Sequence, residues 1–419
     1  MLEIKNLSFF YIRENLIFDN LNFSCPKGCF AVTGPNGSGK TTLIRVISKV
    51  SDALYGGKTE GQIKFDGTEN FIPSVVLQNN DSNLFCETAF EEVSFFCLNK
   101  NFIFKNPSEF FKHWGLENIK DIRTDKLSYG QKQKYSISLA LSFSNRANLV
   151  LMDEPLAFLD ADNIDSFKKT LSELKKNNTV LIFGHRFEEL SDLIDGYFLL
   201  KDGKISEIEP QKKEKSVFIE NKSDLSERES IKLEKITHRN MRKKVDFTLK
   251  KGEIKIVYGP NGSGKTTLCK IISGILDDFD GEIYLNGLKA NKNGLLKRVF
   301  PVLANPDTQI ISRKISDIFN NLKEKEPEEM FRKLNLYLKK HYYVSHLSYG
   351  EKQKFLISYG VLSKKDLILI DEPFLSFDKE SERSVFEVLS DYLKSGGSVL
   401  FFTHRKDIFE VIDCDIIEL

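Results

Sequence analysis

The segment GPNGSGKTTL occurs twice, at Gly34–Leu43 and at Gly259–Leu268. Each copy fits G-x-x-x-x-G-K-[ST]. An apolar run precedes it (CFAVTG, IKIVYG) and an amphipathic run follows (TTLIRVISKV, TTLCKIISGIL). Glycines let the backbone curl until successive N–H groups point at phosphate oxygens. The helix that follows adds its positive N-terminal end. Such a loop needs a strand entering and a helix leaving, so each copy predicts an α/β domain. Lys40 and Lys265 are placed to reach phosphates, and the Thr41 and Thr266 hydroxyls to hold Mg²⁺.

Three further matches keep the same order. LSYG recurs at Leu127 and Leu347, DEP at Asp153 and Asp371, and a His-Arg pair at His185 and His404. With the loops, the offsets by subtraction are 225, 220, 218 and 219 residues, so the chain is a tandem repeat. Its 419 residues suit two domains of about 200 residues each. The charged, polar stretch EPQKKEKSVFIENKSDLSER predicts a linker over 209–228, between domains over 1–208 and 229–419.

LVLMDEP and LILIDEP are short continuous apolar runs ending in acid, as buried parallel strands do. Asp153 and Asp371, at those ends, are candidates for the Mg²⁺ shell. Glu154 and Glu372 follow as candidates to orient or activate the attacking water. His185 and His404 close the next apolar strands, TVLIFGH and SVLFFTH, and are candidates for a γ-phosphate contact. Alternating strand and helix argues for a parallel core, and the mostly polar stretch between loop and DEP for a helical insert.

Composition limits the partners. Sixty-one basic and 60 acidic residues leave a formal net charge of +1, with no global basic field for nucleic acid. Cys25 and Cys29 flank Pro26-Lys27-Gly28, a spacing that fits a turn between strands better than a metal site. The six cysteines read as structural thiols of a reducing compartment. The N-terminus lacks the pattern of a secretory signal, and no run approaches the roughly 18 apolar residues a membrane span needs. Any membrane span must come from other chains.

Together these motifs resemble the ATP-binding cassette (ABC) ATPases over nearly the whole length. LSYGQ and LSYGE are similar to that family's signature, usually LSGGQ, with Tyr129 and Tyr349 in place of the first glycine. The resemblance implies two tandem P-loop domains, each with a mostly parallel sheet core, an antiparallel β subdomain and a helical subdomain. It implies ATP and Mg²⁺ as ligands and ATP hydrolysis as the reaction. It places Gly34, Asn36, Gly37, Gly39, Lys40, Thr41 and Thr42 at one nucleotide, and Gly259, Asn261, Gly262, Gly264, Lys265, Thr266 and Thr267 at the other. Ser128, Gly130 and Gln131 form one signature, and Ser348, Gly350 and Glu351 the other. In the family, each signature closes over the nucleotide held by the opposite half. Tyr11 matches the aromatic that stacks on adenine. Gln78 matches the glutamine that touches Mg²⁺ and water. Ala157–Asp160 and Leu375–Asp378 match the loop that crosses between halves.

The second half departs twice: Ala304 stands at the glutamine position, and EKITHRN offers His238 or Arg239 but no adenine aromatic. The first site is therefore expected to be the more complete and the second the slower. QNNDSNLFCETAFEEVSF resembles the ATPase subunits of energy-coupling factor (ECF) importers of vitamins or metal ions. That likeness implies peripheral attachment to the cytoplasmic face of the membrane, docked on an integral scaffold protein that holds a substrate-binding membrane subunit. The rival readings are a soluble tandem ABC protein acting on ribosomes or nucleic acid, and the ATPase of another importer class.

Overall fold

Runs that are apolar without alternation are buried on both faces, and they form the centre of each half. In this computed structural model the described residues are 1–11, 16–51, 57–77, 84–127, 129–143, 148–157, 159, 161–210, 219–220, 228–310, 313–319, 327–375, 377–410 and 412–419. They fall into two compact units, Met1–Lys212 and Lys213–Leu419.

In the first unit, Leu149–Asp153 and Thr179–Phe183 are buried at every position. They lie inside a six-stranded sheet ordered Ser74–Val76, Leu149–Asp153, Thr179–Phe183, Gly28–Thr33, Gly196–Lys201, Lys204–Ile208. All neighbours are parallel except the last pair, an antiparallel hairpin. A separate antiparallel sheet sets Leu2–Phe10 between Leu16–Cys25 and Lys58–Phe65. Its inward Leu2, Ile4, Leu7 and Phe9 share one core with helix Lys40–Ile47. A third cluster, rich in aromatics (Phe102, Phe110, Phe111, Tyr135), forms the helical part. There Tyr135 donates its hydroxyl to the carbonyl of Ala89 at 3.1 Å.

The second unit repeats the plan. Its five-stranded parallel sheet runs Val299–Val302, Leu367–Asp371, Ser398–Thr403, Ile254–Tyr258, Ile416–Glu418. Its antiparallel sheet runs Val245–Lys250, Glu229–Thr237, Asp280–Leu285, Leu288–Lys289. Within the stretch read as linker, Ile219–Glu220 pairs in parallel with Ile412–Asp413, so that stretch contributes a short strand to the second unit. Cys25 and Cys29 lie at the junction of two strands belonging to different sheets. Both are buried, and burial pushes each thiol up to about 12.

Candidate nucleotide sites

Both loops join a central strand to a helix. In the first, Gly37 and Gly39 have φ of +81° and +98°, a region that suits glycine. Gly34 is needed for close approach: a Cβ there would lie 2.1 Å from the Leu200 carbonyl oxygen. Nothing would meet a Cβ on Gly37 within 4 Å, so the loop's mouth is open. Helix Lys40–Ile47 starts at Gly39 with no side chain capping its N–H groups. Lys40 is buried, and its Nζ donates to the carbonyls of Gly34 at 2.6 Å and Pro35 at 3.2 Å. The second loop matches, with φ of +76° at Gly262 and +107° at Gly264. Lys265 donates to Gly259 at 2.7 Å and Pro260 at 3.0 Å. A cradle of N–H groups, an uncapped helix end and a lysine suits a polyphosphate.

Strand order brings the acids to the loops. Thr41 donates to Asp153 Oδ2 and Thr266 to Asp371 Oδ2, each at 2.7 Å. Glu154 and Glu372 follow in left-handed conformations, φ +49° and +53°. Their N–H groups bond the carbonyls of Phe183 and Phe402, both at 2.8 Å. A non-glycine residue in that region is uncommon and costs strain, so its recurrence in both halves marks a constrained site. His185 Nε2 lies 2.9 Å from Asn36 Oδ1, 3.1 Å from Lys40 Nζ and 3.6 Å from Glu154 Oε1. His404 differs: its Nδ1 lies 2.8 Å from Glu372 Oε1, and Lys265 Nζ is 3.8 Å from that oxygen.

The ABC transporter family model matches residues 18–157 and 242–375, one cassette in each unit. The chain belongs to the ABC transporter family. A putative ABC transporter ATP-binding protein of Methanosarcina mazei is 27% identical, over 97% of this chain and 91% of its own length. Two solved structures are similar in fold across both units. One is a model of ribosome-bound archaeal Pelota and ABCE1, at TM-score 0.65 and 19% identity, covering 94% of this chain and 72% of that one. The other is the RNase-L Inhibitor, at 0.61 and 19%, covering 97% and 86%. At such identity the likeness is one of fold.

This ABC protein is an ATPase, and its buried charges fit a phosphate substrate. Burial raises Asp153, with Lys40 and Thr41 opposing, and raises Asp371 to about 7. Among the described residues Oδ1 of Asp371 is buried without a partner, while Oδ2 accepts from Thr266. A threonine hydroxyl beside a carboxylate with an oxygen to spare is a donor set for a hard cation. Burial also raises Glu154, against the pull of Lys40. Burial works the same way on Glu372, but His404, Lys265 and Thr403 outweigh it and hold that acid below the usual range.

The remaining site residues divide. Tyr11 packs edge-on against Phe9, centroids 4.8 Å apart, with its hydroxyl buried and, among the described residues, unpartnered. In the ABC protein's second unit, Met241 packs on Gly264 where the first sets Ile17 and Phe18 on Gly39. Gln78, Ser128 and Asp160 lie outside the described residues. Helix Tyr129–Leu141 carries Gly130 and Gln131 at its start. Ser348 caps helix Tyr349–Leu362 in a reciprocal box with Glu351, which also holds Lys339 at 2.6 Å. That contact gives Glu351 a structural role beside its signature position.

Three residues were missed by sequence reasoning. Thr403 donates to Glu372 Oε2 at 3.1 Å, and buried Gln353 donates to the Glu372 carbonyl at 3.1 Å. Tyr349, noticed only as a departure from the signature, donates its hydroxyl to the carbonyl of Ala304, the glutamine position. The position of Gln353, five residues after Ser348 and mirrored by Gln133 donating to Pro155, was the available signal.

Proposed function

We propose that this chain is the ATP-hydrolysing component of an ECF-type membrane importer, taking up a vitamin or a metal ion. The observation that carries the reading is near-full-length similarity to a relative named as a putative ABC transporter ATP-binding protein. The QNNDSNLF stretch adds the ECF-type likeness. Among the described residues no helix is long and apolar enough to cross a membrane, so the proposal requires integral membrane partners.

In this reading Lys40 and Lys265, with the loop N–H groups, bind the ATP phosphates, and Tyr11 stacks on adenine in the first half. Thr41 with Asp153, and Thr266 with Asp371, would hold Mg²⁺, whose charge offsets that of the phosphates. Glu154 and Glu372 orient the attacking water and take its proton, while His185 and His404 contact the γ-phosphate. Loss of the γ-phosphate contacts then shifts the conformational equilibrium that the membrane partners follow.

Purification from native membranes, with identification of the co-purifying chains, tests the proposal. Multi-span partners are expected. Recovery on ribosomes instead would overturn the import reading. ATPase rates of Glu154→Gln and Glu372→Gln test the inequality of the halves, and equal losses would remove it.

A further inference from the structure

The two halves hold their glutamates differently, and Thr403 is one source of the difference. Thr403 is fully buried at the end of strand Ser398–Thr403. Its Oγ1 accepts the Arg405 backbone N–H at 3.1 Å, which directs the hydroxyl hydrogen to Glu372 Oε2, also at 3.1 Å. His404 Nδ1 sits 2.8 Å from the other oxygen. Both oxygens of Glu372 are therefore engaged, and rotation of the carboxylate would break two hydrogen bonds in a dry site.

The first half has Gly184 at this position. A Cβ there would lie 2.9 Å from Glu154 Oε2, so the Glu154 carboxylate occupies the space a threonine side chain would need. Gly184 has no hydroxyl to offer, His185 Nε2 stands 3.6 Å from Glu154 Oε1, and the Glu154 carboxylate takes a hydrogen bond from the His185 backbone N–H instead. The carboxylate of the first half is thus held by a different set of contacts, without a neighbouring side-chain hydroxyl from position 184.

We propose that Thr403 is a positioning residue for hydrolysis in the second half, fixing the Glu372 carboxylate in one orientation. The half that lacks the glutamine and the adenine aromatic thereby gains a hydroxyl contact to its acid that Gly184 cannot supply. A group held within a fraction of an ångström of its working position avoids the orientation cost of each turnover. The proposal rests on reading Glu372 as the acid that acts on the attacking water.

The test uses the full chain carrying Glu154→Gln, so that hydrolysis reports the second half. Adding Thr403→Val, which keeps the shape and removes the hydroxyl, should lower kcat about tenfold, the worth of one hydrogen bond to a charged group. KM, affinity for a fluorescent ATP analogue and melting temperature should hold, and Thr403→Ser should restore kcat. Should Thr403→Val fail to fold, Thr403→Ala is read against Thr403→Ser. Unchanged kcat without the hydroxyl overturns the proposal, as does absence of hydrolysis by Glu154→Gln alone. If Glu154→Gln with Glu372→Gln still turns over at the single-variant rate, the reading of Glu372 itself fails. Loss in that double variant with no effect of Thr403→Val sinks the Thr403 inference alone.

Discussion

Replacing Glu92 with glutamine should stabilise the first unit at neutral and alkaline pH and do little in acid. Glu92 lies in helix Ala89–Cys97 with no exposed surface, and both carboxylate oxygens are buried. Burial raises its pKa from 4.5 to about 7, with the backbone N–H of Phe85 opposing weakly. The matching turn of the second unit carries Ile318, four residues after a bridge (Lys314 with Tyr343) that parallels Thr88 with Arg123. A folded-state pKa above the unfolded one means the folded unit binds the proton more tightly. Folding is therefore favoured most below pH 4.5, and stability is lost as pH rises through 7. The full loss is about 3 kcal/mol, from roughly 2.5 pH units at 1.36 kcal/mol each. At pH 5 the cost is still under about 1 kcal/mol, so Glu92→Gln should gain about 2 kcal/mol more at pH 8 than at pH 5. For a unit of this size that is about 4–8 °C in melting temperature, readable by calorimetry across pH 5–8. A difference between variant and parent that stays constant over this range would refute the reasoning.

Lys40→Ala and Lys265→Ala each remove the buried ammonium at the mouth of a phosphate loop. Each should weaken fluorescent ATP-analogue binding at its own half by about tenfold or more, the worth of a charge-assisted contact, and unchanged stoichiometry and affinity would count against the assignment. Tyr11→Ala should raise KM for ATP severalfold with a smaller effect on kcat, since an adenine stack binds ground and transition states alike; an unaltered KM would return Tyr11 to the role of a packing aromatic on Phe9. Ser348→Ala breaks the reciprocal cap of helix Tyr349–Leu362 and should cost about 1 kcal/mol in chemical denaturation of the second unit, whereas no loss would show the cap to be idle.

Much of the candidate site was legible because the chemistry needs particular residues at fixed spacing. The phosphate loops, the Asp-Glu pairs and the histidines each stand in a short segment, and their apolar lead-in runs name the strands that carry them. Their assembly follows from the sheet: Leu149–Asp153, Thr179–Phe183 and Gly28–Thr33 lie side by side in parallel, so all their C-terminal ends open on one edge. The antiparallel sheets came from resemblance rather than from the residues, since Leu2–Phe10 and Glu229–Thr237 read only as opening strands. Ile219–Glu220 was hidden because a two-residue strand in a charged stretch leaves no periodic signal.

From sequence alone came the tandem design, the α/β class, the family and the residues that line each phosphate loop. Contiguous motifs carry all of these, and a repeat in register cannot arise by chance. Only the tertiary structure decided how the acids are held. Thr403 meets Glu372 across 31 residues, Tyr349 meets Ala304 across 45, and Glu92 is fully buried in the helical part of the first unit. Local patterns repeat over two or four residues and say nothing of such pairs. Which strand lies beside which, and what burial does to a charge there, is settled only when the chain closes on itself.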